Sequence, residues 1–120
     1  MGKNILIVED DMIIAMVLEN MVKTLGHKVL GKATNGDDAI SLATSLNPDI
    51  ILMDIRLKGE MDGVEAIQII KEKMSTVSVI FITGNSDRHN FDRVKETNCV
   101  GLITKPFTIG ELTKTLELAS

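Results

Sequence analysis

The chain has 120 residues, of which 44% are hydrophobic and 25% are charged, the balance of one globular domain with a core of its own. With a formal net charge of −4, it lacks the basic surface of a protein that binds nucleic acid directly, and no apolar stretch approaches the ~20 residues of a membrane helix. The one cysteine, Cys99, excludes an internal disulfide and suits a reducing cytoplasm, so we expect residues 1–120 to form a single cytoplasmic domain.

Short apolar runs at regular intervals predict five strands. Four of the runs are apolar throughout, which is typical of strands that are buried on both faces. They span residues 5–8, 50–53, 79–82 and 100–103. A further run, Lys28–Ala33, is more polar and contains Gly31. These features favour a strand at the edge of the sheet.

Each predicted strand is followed by a segment whose apolar residues recur at the three- and four-residue steps of a helix. These segments span residues 12–25, 37–45, 64–74, 86–97 and 108–118. In the first segment the spacing predicts one buried face, formed by Ile13, Met16, Val17, Met21 and Leu25.

The regular alternation of strand and helix predicts the α/β class, with a doubly wound parallel sheet of five strands and helices on both faces. The expected strand order is 2-1-3-4-5. In such sheets ligands bind beyond the carboxyl ends of the strands, close to the point where the strand order reverses. Functional residues are therefore expected after strands 1 and 3.

Polar residues follow four of the predicted strands at this edge. Glu9 and Asp10 follow strand 1, Asp54 follows strand 3, Thr83 ends strand 4 and Lys105 follows strand 5. Carboxylates that lie close together favour a hard divalent cation, and Mg²⁺ combines one or two of them with waters and phosphate oxygens. An aspartate can attack phosphorus while an ammonium and a hydroxyl stabilise the transferred charge. The set therefore suits reversible phosphorylation of Asp54.

In this order and at these strand ends, Asp10, Asp54, Thr83 and the pair Lys105-Pro106 resemble the signature of response-regulator receiver domains. The resemblance extends over nearly the whole chain and implies a flavodoxin-like fold. It implies that Asp54 accepts the phosphoryl group and that Thr83 and Lys105 contact the phosphoryl oxygens. It also implies that the peptide bond between Lys105 and Pro106 is cis.

The same resemblance implies a Mg²⁺ site beside the phosphoacceptor. Asp10 and Asp54 correspond to direct ligands, and Glu9 to an acid that acts through water. The backbone carbonyl of Arg56 corresponds to the remaining protein ligand. We also expect the Arg56 side chain to project over the site and to pair with Glu9 or with the phosphoryl group.

The resemblance also implies partners and a mode of action. The phosphoryl donor would be a sensor histidine kinase or a histidine phosphotransfer protein. An output protein or domain would read the surface of helix 4, strand 5 and helix 5. Such a module is not a conventional enzyme, although it catalyses its own phosphorylation and dephosphorylation. A phosphorylation-dependent homodimer is compatible with this interpretation.

Three alternatives stay open at this point. The first is a degenerate receiver that binds proteins without being phosphorylated. Two features favour it: Leu102 stands where many family members have an aromatic residue, and the loop after Asp54 lacks the usual proline. The second is a flavin electron carrier, although acids stand where a phosphate loop is needed and the chain has no Trp or Tyr. The third is an aspartate-dependent phosphatase, which would normally carry an Asp-x-Asp motif after strand 1.

Overall fold

A computed structural model of the protein describes residues 2–84 and 90–119. Within these residues, five strands alternate with five helices. The strands are β1 (Asn4–Val8), β2 (Lys28–Ala33), β3 (Ile50–Met53), β4 (Ser78–Thr83) and β5 (Gly101–Thr104). The helices are α1 (Met12–Thr24), α2 (Gly36–Leu46), α3 (Gly63–Lys73), α4 (Phe91–Glu96) and α5 (Ile109–Leu118).

The strands form one parallel sheet in the order β2-β1-β3-β4-β5. This confirms the predicted α/β class, the strand order and the edge position of Lys28–Ala33. The register pairs Val8 with Met53 and Met53 with Phe81. As a result, the residues that follow β1 and β3 emerge side by side at the same edge of the sheet.

Two apolar layers flank the sheet, because successive strand residues point to opposite faces. Leu6 and Val8 pack on the side covered by α2, α3 and α4. Ile5 and Ile7 pack on the side covered by α1 and α5. All four side chains are at most 1% exposed. The helices are therefore held by burial on both faces of the sheet, as expected for parallel strands.

The prediction for the buried face of α1 was largely wrong. Ile13, Met16 and Val17 are 72%, 54% and 43% exposed, whereas Ala15, Leu18 and Val22 form the buried face. Met21 and Leu25 are partly buried against the core. The first two turns of α1 are apolar all round, so several sets of three- and four-residue steps exist and periodicity alone does not select one.

The remaining helices follow the predictions more closely. In α3 the predicted face is buried at Val64, Ile67 and Ile70. A capping box begins α5, with Thr108 as its first residue. The predicted segment 86–97 contains α4, while its positions 86–89 lie outside the described residues. None of the described helices has the length and apolar character needed to cross a membrane.

Candidate functional site

Backbone hydrogen bonds fix the strand ends that carry the predicted site residues. The amide of Asp54 donates to the carbonyl of Val8 at 2.9 Å, and the amide of Lys105 donates to the carbonyl of Thr83 at 2.7 Å. The amide of Glu9 donates to the carbonyl of Ala33 at 2.9 Å. Glu9, Asp54 and Lys105 therefore leave the sheet from positions that backbone hydrogen bonds to neighbouring strands hold.

A cleft of about 290 Å³ opens at this edge of the sheet. Its lining contains most of the predicted site residues, together with neighbours from α1 and from the end of β4. The lining residues are Glu9, Asp10, Asp11, Ile14, Asp54, Arg56, Gly84 and Lys105. Thr83 is fully buried at the end of β4 and is not among them. The structure thus brings the predicted acids, Arg56 and Lys105 to one cleft.

Lys105 connects two of the acids inside this cleft. Its Nζ donates to Glu9 Oε1 at 2.7 Å and to Asp54 Oδ2 at 3.1 Å. Glu9 is 2% exposed and Asp54 is 6% exposed. Charge-assisted hydrogen bonds of this kind offset much of the cost of removing carboxylates from water. Without the ammonium group, both acids would be buried without a positive partner, and Glu9 would keep only the hydrogen bond to its Oε2 from the amide of Asp11 at 3.1 Å among those described.

The pKa values of the site are shifted mainly by burial and then by the neighbouring charges. Burial raises the pKa of Glu9, against the hydrogen bond from Lys105, which lowers it. Burial and the neighbouring Glu9 carboxyl raise the pKa of Asp10. Burial opposes the charge of Lys105, but its contacts with Glu9 and Asp54 outweigh burial, so its pKa lies above the ordinary value. Three carboxyl groups thus face one ammonium group.

The donor set suits a hard divalent cation. Glu9, Asp10 and Asp54 each offer a carboxylate oxygen, and these atoms lie within 4.8 Å of one another. Oxygen ligands at an open cleft match the preference of Mg²⁺, which keeps several of its waters. Asp11 has a different function, because its carboxylate N-caps α1 by accepting from the amides of Ile13 and Ile14.

Gly63 is a residue of the site region that the sequence reasoning did not identify. Its amide donates to the carbonyl of Ile55 at 2.7 Å. A Cβ at this position would lie 2.0 Å from the backbone oxygen of Asp54, closer than any real contact allows. The start of α3 therefore presses directly on the backbone of the predicted phosphoacceptor. The only available signal was a glycine placed directly after a potential N-cap, Asp62.

An apolar groove of about 380 Å³ adjoins the acidic cleft. It is lined by Ile14, Val17, Met21, Lys105, Pro106 and Phe107. Ile14 and Lys105 line both cavities. The Lys105-Pro106 peptide bond at the base of this groove is cis, as the resemblance implies. The exposed apolar side chains of α1 thus continue from the groove towards the rim of the acidic cleft.

Comparison with known proteins gives a consistent result. The family model of the response regulator receiver domain matches residues 5–117. The chemotaxis protein CheY of Thermotoga maritima is 31% identical over 120 residues, which cover 100% of this chain and 99% of that protein. The transcriptional regulatory protein PdtaR of Mycobacterium tuberculosis is 31% identical over 117 residues. That match covers 98% of this chain and 56% of PdtaR, so the chain spans little more than half of that relative.

The solved structures agree with the sequence comparisons. The signal receiver domain of a modulated diguanylate cyclase from Desulfovibrio desulfuricans superposes with a TM-score of 0.91 at 37% identity. The match covers 99% of this chain and 94% of that one.

Proposed function

Because the chain belongs to the response regulator receiver domain family, whose members are signalling modules of two-component systems, we propose that it is a phosphorylation-controlled switch. In this proposal residues 1–120 act as one receiver domain and Asp54 accepts the phosphoryl group. The observation that carries the proposal is the position of Asp54, buried at 6% exposure, with Lys105 Nζ at 3.1 Å and two further carboxylates beside it.

The proposed transfer exchanges one bond to phosphorus for another. An Asp54 carboxylate oxygen attacks the phosphorus of a phosphohistidine while the phosphorus–nitrogen bond breaks. The electron pair of that bond stays on the imidazole, which takes up a proton. Lys105 then turns from its two carboxylate partners towards a phosphoryl oxygen and stabilises the charge with a positioned ammonium group. The Thr83 hydroxyl, at the end of the adjacent strand, is the proposed second donor.

We propose that Mg²⁺ is held by Glu9, Asp10, Asp54 and the backbone carbonyl of Arg56. When bound, the ion supplies charge neutralisation and orientation for the oxygens of the phosphoryl group. The three carboxylates contribute the hard oxygen ligands, and their mutual repulsion makes the cation favourable. The Arg56 side chain lines the same cleft and is exposed. We propose that it shields the phosphoryl group from water and lengthens its lifetime.

Receiver domains interact with histidine kinases and with output domains. For this chain we propose that the phosphoryl donor docks on the exposed apolar face of α1. Met12 and Ile13 are 67% and 72% exposed and directly follow the acids of the cleft. The adjoining groove shares Ile14 and Lys105 with the cleft. A donor protein that brings its histidine to Asp54 would cover these apolar side chains, and exposed apolar patches of this kind mark interaction sites.

Intact-mass spectrometry after incubation with acetyl phosphate tests the central proposal. Wild type should gain one phosphoryl group in the presence of Mg²⁺ and none in EDTA, and Asp54→Asn should gain none under either condition. Asp49→Asn is the matched control and should label like wild type, because it changes an exposed acid before β3 in the same way and keeps an oxygen for the amide of Asn4. A wild-type chain that stays unlabelled while a receiver of known activity is labelled would favour the unphosphorylated binding module instead.

A further inference from the structure

A bidentate ion pair connects Arg93 of α4 to Asp62, the N-cap residue of α3. Arg93 Nη1 lies 2.9 Å from Asp62 Oδ2, and Arg93 Nη2 lies 3.2 Å from Asp62 Oδ1. Arg93 Nη1 also donates to Asn90 Oδ1 at 2.7 Å. The side chains of Arg93 and Asp62 are 39% and 28% exposed. Two parallel hydrogen bonds give the guanidinium a fixed orientation as well as attraction.

The Asp62 end of this pair is fixed relative to the phosphoacceptor. Asp62 Oδ1 accepts from the amide of Glu65 at 2.9 Å, and Glu65 Oε1 accepts from the amide of Asp62 at 3.1 Å. The next residue, Gly63, bonds to the carbonyl of Ile55 and lies against the backbone of Asp54. A displacement of the Asp54 backbone therefore acts on Asp62 through one rigid turn.

The Arg93 end lies on a short helix with few anchors among the described residues. The flanking residues Asn90 and Thr97 are buried, and Lys71 Nζ donates to the carbonyl of Asn98, just beyond the helix, at 3.3 Å. α4 has six residues, and Val94 is its buried residue. The N-cap, Asn90, makes no side-chain capping bond to the helix. Apolar contact at Val94 is non-directional and permits sliding and rotation. The ion pair, in contrast, fixes α4 against the start of α3 through two directed bonds.

We propose that the Asp62–Arg93 pair is a latch that transmits the state of Asp54 to the position of α4. This inference rests on the proposed function, because it requires that the occupancy of Asp54 changes. The pair makes the position of α4 depend on the backbone around Asp54.

Hydrogen–deuterium exchange of peptides that contain α4, with and without beryllofluoride and Mg²⁺ as the stable mimic of phosphorylation, tests the latch. In wild type, beryllofluoride should change the exchange of α4. Without the mimic, the backbone amide hydrogens of α4 should exchange roughly three- to tenfold faster in Arg93→Gln and in Asp62→Asn than in wild type. The Asn side chain of the second variant keeps the oxygen that caps α3. Both variants should also remove most of the response to the mimic.

The double variant and a matched control complete the experiment. Asp62→Asn combined with Arg93→Gln should exchange no faster than the single variants, because the same pair is removed once. Lys95→Gln removes an exposed positive charge from the same helix and should behave like wild type. Far-UV circular dichroism and urea unfolding of each variant identify any global loss of structure.

The results separate the latch from the proposed function. If Arg93→Gln exchanges and responds like wild type, the latch is wrong, whatever the labelling of Asp54. If wild type takes up one phosphoryl group but the exchange of α4 does not respond to beryllofluoride, the latch is again wrong and the proposed function stands. If wild type is not labelled at all, the proposed function fails, and with it the coupling.

Discussion

Lys105 Nζ lies 2.7 Å from Glu9 Oε1, although 96 positions separate Lys105 from Glu9 in the chain. This contact is shorter than the 3.1 Å distance from Lys105 Nζ to Asp54 Oδ2. The ammonium group of Lys105 thus lies closer to Glu9 than to Asp54, the proposed phosphoacceptor. Glu9 keeps the ammonium group beside Asp54 and leaves it ready to turn towards a phosphoryl group. The stability of the site therefore depends on how three acids share one lysine and, as proposed above, one Mg²⁺ ion.

Lys105→Met should destabilise the fold, because it leaves Glu9 and Asp54 buried without a positive partner. We expect the free energy of unfolding in EDTA to fall by about 2 to 4 kcal/mol. The rate of labelling by acetyl phosphate should fall by about 100-fold or more. Lys32→Met is the matched control, since it removes an exposed pair with Glu19 and should cost about 1 kcal/mol or less. Equal losses in urea unfolding for the two variants would contradict the prediction.

Mg²⁺ should stabilise wild type, because the cation relieves the repulsion between the acids of the cleft. Binding to the folded state alone raises the free energy of unfolding by about 2.7 kcal/mol at 100 times the dissociation constant. Thermal unfolding against Mg²⁺ concentration measures this increase. Asp10→Asn should lose most of it, whereas Asp37→Asn, an exposed acid in the first turn of α2, should keep it. An increase that is the same in both variants would place the cation elsewhere.

The metal-free protein should lose stability as the pH rises above the acid range. Burial raises the pKa of Glu9 above its ordinary value of 4.5, so the folded state binds this proton more tightly than the unfolded state. The stabilising effect of that proton is complete below 4.5 and disappears as the pH rises through the raised value. Urea unfolding in EDTA over this range should show a smaller pH dependence for Glu9→Gln than for wild type. Saturating Mg²⁺ should reduce the difference.

Gly63→Ala should disturb both the fold and the site. The added methyl group would meet the backbone oxygen of Asp54 at 2.0 Å, and backbone cannot yield as a flexible side chain does. We expect a loss of about 3 kcal/mol or more in urea unfolding, with slower labelling of Asp54. Gly110→Ala is the control, because its methyl group would meet only Thr108 Oγ1 at 3.7 Å. In the first turns of α5 this change should be neutral or stabilising by up to about 1 kcal/mol.

Ile13→Ser and Met16→Ser should separate docking of the donor from chemistry at Asp54. Both side chains are more than half exposed, so folding stability should change little. Transfer from a phosphohistidine protein should become about tenfold slower or more, while labelling by acetyl phosphate stays unchanged. Leu118→Ser, at a residue that is 72% exposed on α5, should alter neither reaction. Equal rates for all variants with the protein donor would exclude the face of α1 as its docking surface.

The fold and most of the cleft could be predicted from the sequence because strand burial and strand order leave few arrangements. Once five parallel strands are placed, Glu9, Asp54 and Lys105 must meet at one edge. The buried face of α1 could not be predicted, because its first two turns are apolar on every side. The contact of Gly63 with Asp54 and the pairing of Asp62 with Arg93 depend on how the start of α3 packs against the end of β3 and against α4. Local spacing carries no information about such distances.

The edge strand β2 has a consequence for self-association. Its pairing with β1 shifts register between Ile5 and Leu6, so that the alignment skips Leu30. Lys32 projects from this strand and pairs with Glu19 at 2.8 Å. An irregular edge that bears lysines is a poor template for a strand from another molecule. When copies of the chain are crowded together, this edge of the sheet is therefore protected from extending into a sheet shared between molecules.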